Sequence, residues 1–403
     1  MPSHSQRLLQ SILNRLLDMV PTLLALVLAF LVASILLFAL GADPGTAINS
    51  MLQGAFGTEN ATAETLVKAT PILFVAIGIS IAFRGGVINI GGEGQMIAGA
   101  VAGVTTALVL KDAPAIITIP MSLVMGFISG AFYGGIAGFL RAYFGVNEIL
   151  STIMLNQVAV QLMNYLLNNP LLDPAELGTN HIPKTARILA EHQLPRLTIN
   201  LPEVLVSIFG HADLFAKTRL HYGLIIAIVL AILTYILLWR TTIGYRIRAV
   251  GQNERAAQYA GINVKRQMML SLVLAGGFAG LAGVVQVLGL QYRLQTDGSP
   301  AGFTASAGFN GIVAALFGGL NPIGAIPASA FFGGLLVGAQ KMQRDLGVPA
   351  ALITAINGLI VVFVVSSQIF TQRRQRRRAT IAVATADMPE ADEPAQPVLE
   401  EVV

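Results

Sequence analysis

A small group of polar side chains lies within an apolar, glycine-rich stretch before residue 100. The group consists of Asn89, Glu93 and Gln95 in the segment NIGGEGQM. Because an ionisable group at the centre of a bilayer costs at least ~2.5–3.5 kcal/mol, Glu93 requires a reason to be there. The amides and the carboxylate could line a pathway and bind hydroxyls or a purine edge. Alternatively, they form hydrogen bonds with backbone N–H and C=O groups where a helix is interrupted, since lipid offers these groups no partners.

Three uncharged amides are further candidates for lining a pathway: Asn156, Asn310 and Asn321. The alternative role for each is an interhelical hydrogen bond, which contributes ~0.6 kcal/mol on average. Lys68 is predicted near the outer end of its span, where a lysine can snorkel to the interface. Glu148 is predicted at the start of a span, where a carboxylate favours the helix N-terminus by ~0.3–1 kcal/mol.

Several kinds of chemistry are not supported by the sequence. The chain has no cysteine, and its five histidines lack metal-ligand spacing. A phosphate-binding loop of the type G-x-x-x-x-G-K-[ST] is absent, since no lysine follows a glycine. We therefore expect no catalytic residue, no metal site and no cofactor in this chain. If ATP drives the protein, ATP and Mg²⁺ must bind to a separate ATPase.

The composition predicts an all-α integral membrane protein. Hydrophobic residues make up 54% and charged residues 11% of the chain, whereas soluble proteins carry about 25% charged residues. With about 20 apolar residues for each span, we predict about ten transmembrane helices with broken or re-entrant segments. The predicted spans are Val20–Leu40, Thr65–Phe83, Met96–Leu110, Ala115–Leu140, Glu148–Leu167, Tyr222–Trp239, Met268–Leu290, Phe309–Leu320, Ile323–Gln340 and Pro349–Phe370. The eighth span is short, and it forms either a helical hairpin or a broken element with the ninth.

The basic residues cluster at span ends, which predicts an orientation rather than a nucleic-acid surface. By the positive-inside rule, both termini lie on the cytoplasmic side of a bacterial inner membrane. We expect a cytoplasmic segment at 1–19, a transmembrane domain at 20–370 and a disordered, basic then acidic tail at 371–403. Within that domain, a proline-rich external loop covers 168–219 and a cytoplasmic loop covers 240–267.

The cytoplasmic loop reads TTIGYRIRAVGQNERAAQYAGINVKR from Thr241 to Arg266. Gly251 and Asn253 can end one helix and cap the next, which we predict from Glu254 to Ala260, with Gly261 ending it. Small residues facing outward on this helix would suit insertion into a cleft of a soluble partner; they are Ala256, Ala257 and Ala260. The alternative is an ordinary amphipathic helix at the membrane interface.

These segments together resemble a permease family that serves importers of ribose, branched-chain amino acids and nucleosides. The resemblance covers nearly the whole chain outside its two tails. It rests on four segments, namely RGGVINIGGEGQM at Arg84–Met96, EILSTIMLN at Glu148–Asn156, RAVGQNERAAQYAGI within Gly244–Ile262, and Gly308–Gly338.

The resemblance implies the fold of an ABC importer permease, with a coupling helix that docks on a cytosolic ATP-binding subunit. The residues it assigns to coupling are Arg248, Ala249, Gly251, Asn253, Glu254, Ala256, Ala257 and Gly261. Their spacing is similar to the coupling signature of other importers, although the I-x-L-P that follows there is missing here. The docking assignment therefore depends on the family resemblance.

The same resemblance implies the partners and the substrate class. The external loop and the NIGGEGQM and STIMLN segments are most similar to the purine-nucleoside subgroup, whose receptor is a lipid-anchored solute-binding protein. The chain would form half of a pore for nucleosides or a related sugar-containing solute, beside a second permease that is identical or paralogous. Import, as opposed to export, is also an implication of the family.

Three other function classes remain open from the residues alone. A sodium-coupled secondary transporter also uses broken, glycine-rich helices, but it has no need of the loop 240–267. A membrane-embedded enzyme would need a nucleophile–base pair or a metal cluster, and neither pattern is present. A purely structural subunit would not need polar, glycine-broken segments inside the membrane.

Overall fold

The structure is a computed structural model that describes residues 24, 27–39, 41–176, 182–200, 213–347, 349 and six isolated positions between 355 and 366. The described chain is mostly helical, with irregular segments at 85–91, 182–198 and 292–299 and a two-residue antiparallel ladder of β1 (Ile199–Asn200) and β2 (Asp213–Leu214). The helices are α1 Val27–Ala39, α2 Pro44–Phe56, α3 Glu59–Arg84, α4 Gly92–Val109, α5 Ala115–Phe144, α6 Glu148–Asn168, α7 Gly223–Arg240, α8 Thr242–Gln252, α9 Glu254–Tyr259, α10 Val264–Gln286, α11 Pro300–Thr304, α12 Ala307–Phe317 and α13 Pro322–Leu346.

Local capping signals set many of the helix ends. The Thr58 side chain accepts a hydrogen bond from the Ala61 N–H at the start of α3, and Asn147 does the same for the Ile149 N–H of α6. Helix α5 ends at Gly145, whose φ of 67° is in the left-handed region that glycine adopts without strain. These boundaries lie where polar or glycine residues interrupt the apolar runs.

The centre of the molecule is built by α3 and α10. In the most apolar 18 residues of α3 and α10, 83% and 78% of the residues are buried. In the corresponding stretches of α5 and α7 only 28% are buried. Helix α10 continues into one π-helical turn at Val287–Gln291, after which Tyr292 has a left-handed φ of 58°. Among the described residues, the outer faces of α5 and α7 are therefore left uncovered and can meet lipid or another part of the assembly.

Small residues let α5 and α10 approach closely. A Cβ placed on Gly130 of α5 would overlap the carbonyl oxygen of Gly276, and one on Gly276 would overlap that of Gly130. Gly280 meets the Gly126 carbonyl in the same way. Such contacts are typical of membrane helices, whose association depends on close packing because lipid provides little hydrophobic driving force.

The predicted ten spans are not confirmed. Among the described residues, five helices are long and apolar enough to cross a membrane: α3, α5, α7, α13, and α10 with its π-helical turn. The bent pair α1 and α2, with a 119° angle between them, makes a sixth if it is counted as one span. Helix α2 was not predicted as a separate element. The predicted segments 1–19 and 371–403, and most of Pro349–Phe370, lie outside the described residues.

The predicted hairpin after α10 is present. Helices α12 and α13 correspond to the eighth and ninth predicted spans, and the turn 318–321 joins them. Asn321 and Pro322 start α13, with the Asn321 side chain accepting the Ile323 N–H at 3.0 Å. With 11 residues, α12 is ~16 Å long, about half of the hydrocarbon thickness.

The described parts of the external loop are irregular, as its prolines predict. They contain two three-residue 3₁₀ turns, Pro174–Glu176 and Ala190–His192. The segment 184–197 lies along the end of α10, where the Leu194 N–H donates to the Leu288 carbonyl at 2.9 Å. The loop is thereby held against the outer end of the helix bundle.

Candidate functional site

Two helices begin inside the bundle and face each other. A Cβ placed on Gly92, at the start of α4, would lie 3.2 Å from the Gly308 Cα of α12 and 3.4 Å from a Val75 methyl carbon of α3. Val75 is nine residues before Arg84, which corresponds to ~14 Å along the helix axis. The non-helical segment 85–91 therefore runs from the end of α3 back to the middle of that helix.

Predicted pathway residues hold this broken segment in place. Asn89 and Gln95 exchange two side-chain hydrogen bonds, at 2.9 and 3.1 Å, and Asn89 Oδ1 also accepts the Gly91 N–H. From α6, Asn156 accepts the Gly94 N–H at 2.8 Å and donates to the Ile90 carbonyl at 3.0 Å. These bonds are expected if the amides serve as hydrogen-bond partners for backbone groups that are not in a helix. The sequence left this alternative open.

Glu148 contributes to the same region from the start of α6. One of its carboxylate oxygens lies 3.3 Å from the Arg141 side chain, and the other is at 3.5 Å from the Ile88 N–H. Thr152, one turn further along α6, accepts the Ile90 N–H at 3.3 Å. Glu148 is therefore a structural residue at a helix start, as predicted.

Glu93 connects the starts of α4 and α12. Its side chain is only 2% exposed, and its Oε1 accepts the Phe309 N–H at 3.2 Å. Phe309 is the third residue of α12, so its N–H has no acceptor within that helix, and a negative charge is favoured at this end. Thr304 also hydrogen-bonds the carboxylate. Oε2 of Glu93 is buried and has no hydrogen-bond partner among the described residues.

The other two predicted pathway residues do not join this group. Asn310 follows Phe309, but within the described residues its side chain makes no hydrogen bond. Asn321 is the N-cap of α13, at the opposite end of α12 from Glu93. The described residues contain no cluster of histidine and acidic side chains that could hold a metal ion.

A second polar group, not predicted as a site, lies on the other side of Thr304. Lys68 of α3, Gln286 of α10 and Thr304 line a cavity of about 10 Å³, which is room for about one water. Next to it, Ala305 and Ser306 both have left-handed φ values, 50° and 60°. Polar residues inside predicted spans were the available signal for Gln286, but only the fold brings the group together.

The cytoplasmic loop folds into two short helices, largely as predicted. Asn253 ends α8 and caps α9 by accepting the Ala256 N–H at 3.0 Å. Gly261, with a φ of 76°, follows the end of α9, and the Ile262 N–H returns to the Ala257 carbonyl. Helix α8 extends one residue past Gly251, which therefore does not end it.

The prediction that all the small residues of this helix face outward is wrong for Ala257. Ala257 is 4% exposed and packs in an apolar cluster with residues of α3, α8 and α10. The members of this cluster are Ala82, Val87, Val250, Ala257, Met268, Leu272 and Ala275. The six-residue helix has one apolar face to bury, and Ala257 is on it. Ala249 packs partly against the same cluster.

The outward face of α9 instead presents Tyr259, which is 93% exposed. The remaining residues of this face are also exposed: Glu254, Arg255, Ala256, Gln258 and Ala260. A fully exposed aromatic side chain on a short helix is suited to insertion into a partner, since tyrosine is enriched among the residues that dominate interface energies.

Two of the predicted coupling residues hold the loop to the membrane helices. A Cβ on Gly251 would overlap the Arg84 carbonyl oxygen, so α8 touches the end of α3 through its backbone. Arg248 donates from Nε to the Leu238 carbonyl at 2.9 Å and lies 5.7 Å from the Trp239 ring centroid.

Arg84 connects this junction to the hairpin. Its Nη2 donates to the Gly319 carbonyl at 3.0 Å and its Nε to the Leu320 carbonyl at 3.1 Å, at the turn between α12 and α13. Its guanidinium also lies 5.2 Å from the Trp239 ring centroid. The Arg84 side chain thus contacts Trp239, next to the loop 240–267, and also the turn between α12 and α13.

Comparisons with known proteins assign the chain to a family. Residues 61–365 match the family model described as the permease component of the branched-chain amino acid transport system. The chain is 32% identical to the guanosine ABC transporter permease NupP of Bacillus subtilis, over 88% of this chain and 95% of that protein. It is also 32% identical to the nucleoside permease NupB of Lactococcus lactis, over 87% and 92%.

A third relative is the glucose ABC transporter permease TsgB13 of Haloferax volcanii, 32% identical over 87% of this chain and 88% of the relative. No solved structure matches the chain significantly. Because these relatives are named as ABC transporter permeases, the comparisons do not support the sodium-coupled carrier. The chain belongs to the family of permease components of the branched-chain amino acid transport system.

Proposed function

We propose that the chain forms half of the translocation pore of an ATP-driven importer of nucleosides or a related sugar-containing solute. The observation that carries this proposal is the similarity, over 88% of the chain, to a permease named for guanosine. The relative named for glucose supports the sugar-containing alternative. The chain performs no covalent chemistry, and ATP with Mg²⁺ is bound by a separate cytosolic ATPase.

The importer also contains a second permease and an extracytoplasmic solute-binding protein. Two guanosine permeases of Bacillus subtilis, NupP and NupQ, both resemble this chain, at 32% and 31% identity. Two nucleoside permeases of Lactococcus lactis, NupB and NupC, do so as well. These pairs favour a paralogous second permease over a second copy of the same chain.

The proposed topology is that of a multi-pass protein of the inner membrane, with about ten spans and both termini in the cytoplasm. The transmembrane domain covers 20–370, between a cytoplasmic segment at 1–19 and a basic, then acidic tail at 371–403. The loop 168–219 faces the solute-binding protein, and the loop 240–267 faces the ATPase. The clustering of arginine and lysine at the cytoplasmic span ends supports this orientation.

Alternating access is driven from the cytoplasmic loop. Closure of the ATPase moves α9, and the contacts of Gly251 and Arg84 carry this motion to the turn between α12 and α13. Glu93 is the pathway residue at the meeting point of α4 and α12. Asn89, Gln95 and Asn156 hold the segment from which it projects, and Asn310 faces the pathway from α12.

Uptake by proteoliposomes tests the proposal. The permease pair is reconstituted with its ATPase and solute-binding protein, and radiolabelled guanosine, adenosine and glucose are offered separately. We expect nucleoside uptake that requires ATP and stops when the phosphate-binding lysine of the ATPase is replaced. Uptake that continues with the inactive ATPase and follows a sodium gradient would overturn the importer. Uptake of glucose without nucleosides would keep the importer and remove the nucleoside substrate.

A further inference from the structure

Lys68 is a half-buried amine of α3, one turn further along the helix than Glu64. It follows Glu59, the first residue of α3, by nine positions, which is ~13 Å along the helix axis. An ionisable side chain at such a depth is costly unless it has a partner or a function. Its position therefore requires an explanation beyond helix formation.

Structural pairing does not account for Lys68. The carboxylate one turn away, Glu64, makes two hydrogen bonds of 2.7 Å to Arg219 instead. Within the described residues, Lys68 makes no hydrogen bond or ion pair, and Glu64 and Arg219 act on it only through space. Lysine carries three donors and no acceptor, so its donors are available to a ligand with acceptor atoms.

Two polar residues share a small cavity with Lys68. They are Gln286 and Thr304, and the rest of the lining is apolar. Thr304 in turn contacts Glu93, whose buried Oε2 has no hydrogen-bond partner in the described part of the chain. Donors from Lys68 and an unused acceptor on Glu93 thus lie on the two sides of Thr304.

The backbone around this cavity departs from regular helix on two sides. The π-helical turn Val287–Gln291 follows Gln286 directly, and π-helical turns occur frequently at functional sites. On the facing segment, Ala305 and Ser306 are consecutive non-glycine residues with left-handed φ. Strained residues of this kind cluster at ligand sites and switch regions.

We propose that Lys68, Gln286, Thr304 and Glu93 form a binding site for the oxygen atoms of the solute as it crosses the outer half of the pathway. The ligand class is a neutral, oxygen-rich solute with hydroxyl and carbonyl groups. Lys68 donates to acceptor oxygens, and the Glu93 carboxylate accepts from hydroxyl groups. The site is closed in this conformation, since its cavity holds about one water, and it opens where the helices are already broken. This assignment rests on the proposed function as an importer of sugar-containing solutes.

Replacement of Lys68 tests the site in the complete reconstituted importer. Lys68→Met keeps the length of the side chain and removes its donors. With the solute-binding protein saturated by radiolabelled guanosine, we expect the maximal uptake rate to fall about tenfold or more. Lys68→Arg keeps the charge and the donors, so it restores part of the rate. The unfolding midpoint of each purified variant is measured to separate transport from folding.

Lys341→Met is the matched control. Lys341 lies near the outer end of α13 and pairs with Asp345 at 3.1 Å, away from the cavity. We expect wild-type uptake from this variant. If Lys68→Met also transports at the wild-type rate, or if Lys68→Met and Lys68→Arg lose the rate equally, the assigned site is overturned. Failure of the wild-type complex to take up any nucleoside or sugar would instead overturn the proposed function.

Discussion

Asn156 uses both ends of its amide to hold a segment from another part of the chain. It accepts from the Gly94 N–H and donates to the Ile90 carbonyl, on either side of the start of α4. Asn156 is only 4% exposed, its bond to Gly94 is buried, and its bond to Ile90 is partly buried. Buried backbone groups that lose their partners cost ~1–3 kcal/mol each, so the side chain matters more than an average interhelical amide.

Asn156→Ala should therefore destabilise the protein substantially. We expect a loss of ~2–4 kcal/mol in the free energy of unfolding, because a buried N–H and a partly buried carbonyl lose their partners together. The midpoint of thermal unfolding in detergent measures the loss. Asn310→Ala is the control, since this amide is half-buried and makes no side-chain hydrogen bond among the described residues. A similar drop in both variants would contradict the role of Asn156.

At the scale of helices, the close approach of α5 and α10 depends on particular glycines rather than on glycine content. Gly130 has no room for a Cβ, because the Gly276 backbone occupies that space. On the same helix, a Cβ added to Gly135 would lie 3.2 Å from a side-chain atom of Val273, and that side chain can move. Alanine would therefore fit at Gly135 but not at Gly130, although both glycines lie on the same helix.

Gly130→Ala and Gly135→Ala form a matched pair for this contact. We expect Gly130→Ala to reduce stability by ~1–3 kcal/mol, since overpacking forces the two helices apart. Gly135→Ala should be close to neutral, because alanine also favours the helix by ~1 kcal/mol over glycine. Thermal unfolding of the two variants in the same detergent measures the difference. Equal stabilities would mean that α5 and α10 are held together elsewhere.

The turn between α12 and α13 is fixed by Arg84 from a third helix. Arg84→Gln removes two donors from the Gly319 and Leu320 carbonyls, and we expect this turn to open more often. Amide hydrogen exchange of 318–321, followed by mass spectrometry, should become about tenfold faster. Arg240→Gln, an exposed arginine at the end of α7, should leave that exchange unchanged. Unchanged exchange in Arg84→Gln would show that the turn is stable without it.

At the scale of the whole molecule, the loop 240–267 is part of the folded body and also carries Tyr259, an aromatic side chain that is 93% exposed. Ala257 and Val250 bury one side of it against α3 and α10, while Tyr259 projects away. Ala257 is therefore a poor site for testing contact with the ATPase, because a change there disturbs the packing first. Tyr259 is the better site, since its side chain contributes little to the fold.

Tyr259→Ala should weaken assembly without changing the fold. We expect the dissociation constant of the permease for its ATPase to rise about tenfold or more, as is usual for an aromatic residue that anchors an interface. The unfolding midpoint should stay at the wild-type value. Tyr245→Ala, on α8 and 62% exposed, serves as the matched control. If both variants bind the ATPase equally well, α9 is not the docking helix.

Local signals in the sequence were enough to predict most of the helices and several of their ends. Apolar runs placed eight of the helices to within a few residues, and Asn253 and Gly261 marked the limits of α9. The span count stays unconfirmed, because a run of apolar residues does not reveal whether a helix begins at the membrane surface or in the middle of the bundle. Helices α4 and α12 begin inside it.

Contacts between polar residues far apart in the chain could not be predicted from the sequence and are seen only in the fold. Asn156 and Gly94 are 62 positions apart, and Glu93 and Phe309 are 216 apart, so no local pattern could pair them. The direction of Ala257 was also undetermined, because a six-residue helix is too short for its apolar period to identify the buried face. Capping and hydropathy are properties of neighbouring residues, whereas burial and hydrogen-bond partners depend on elements that the fold brings together.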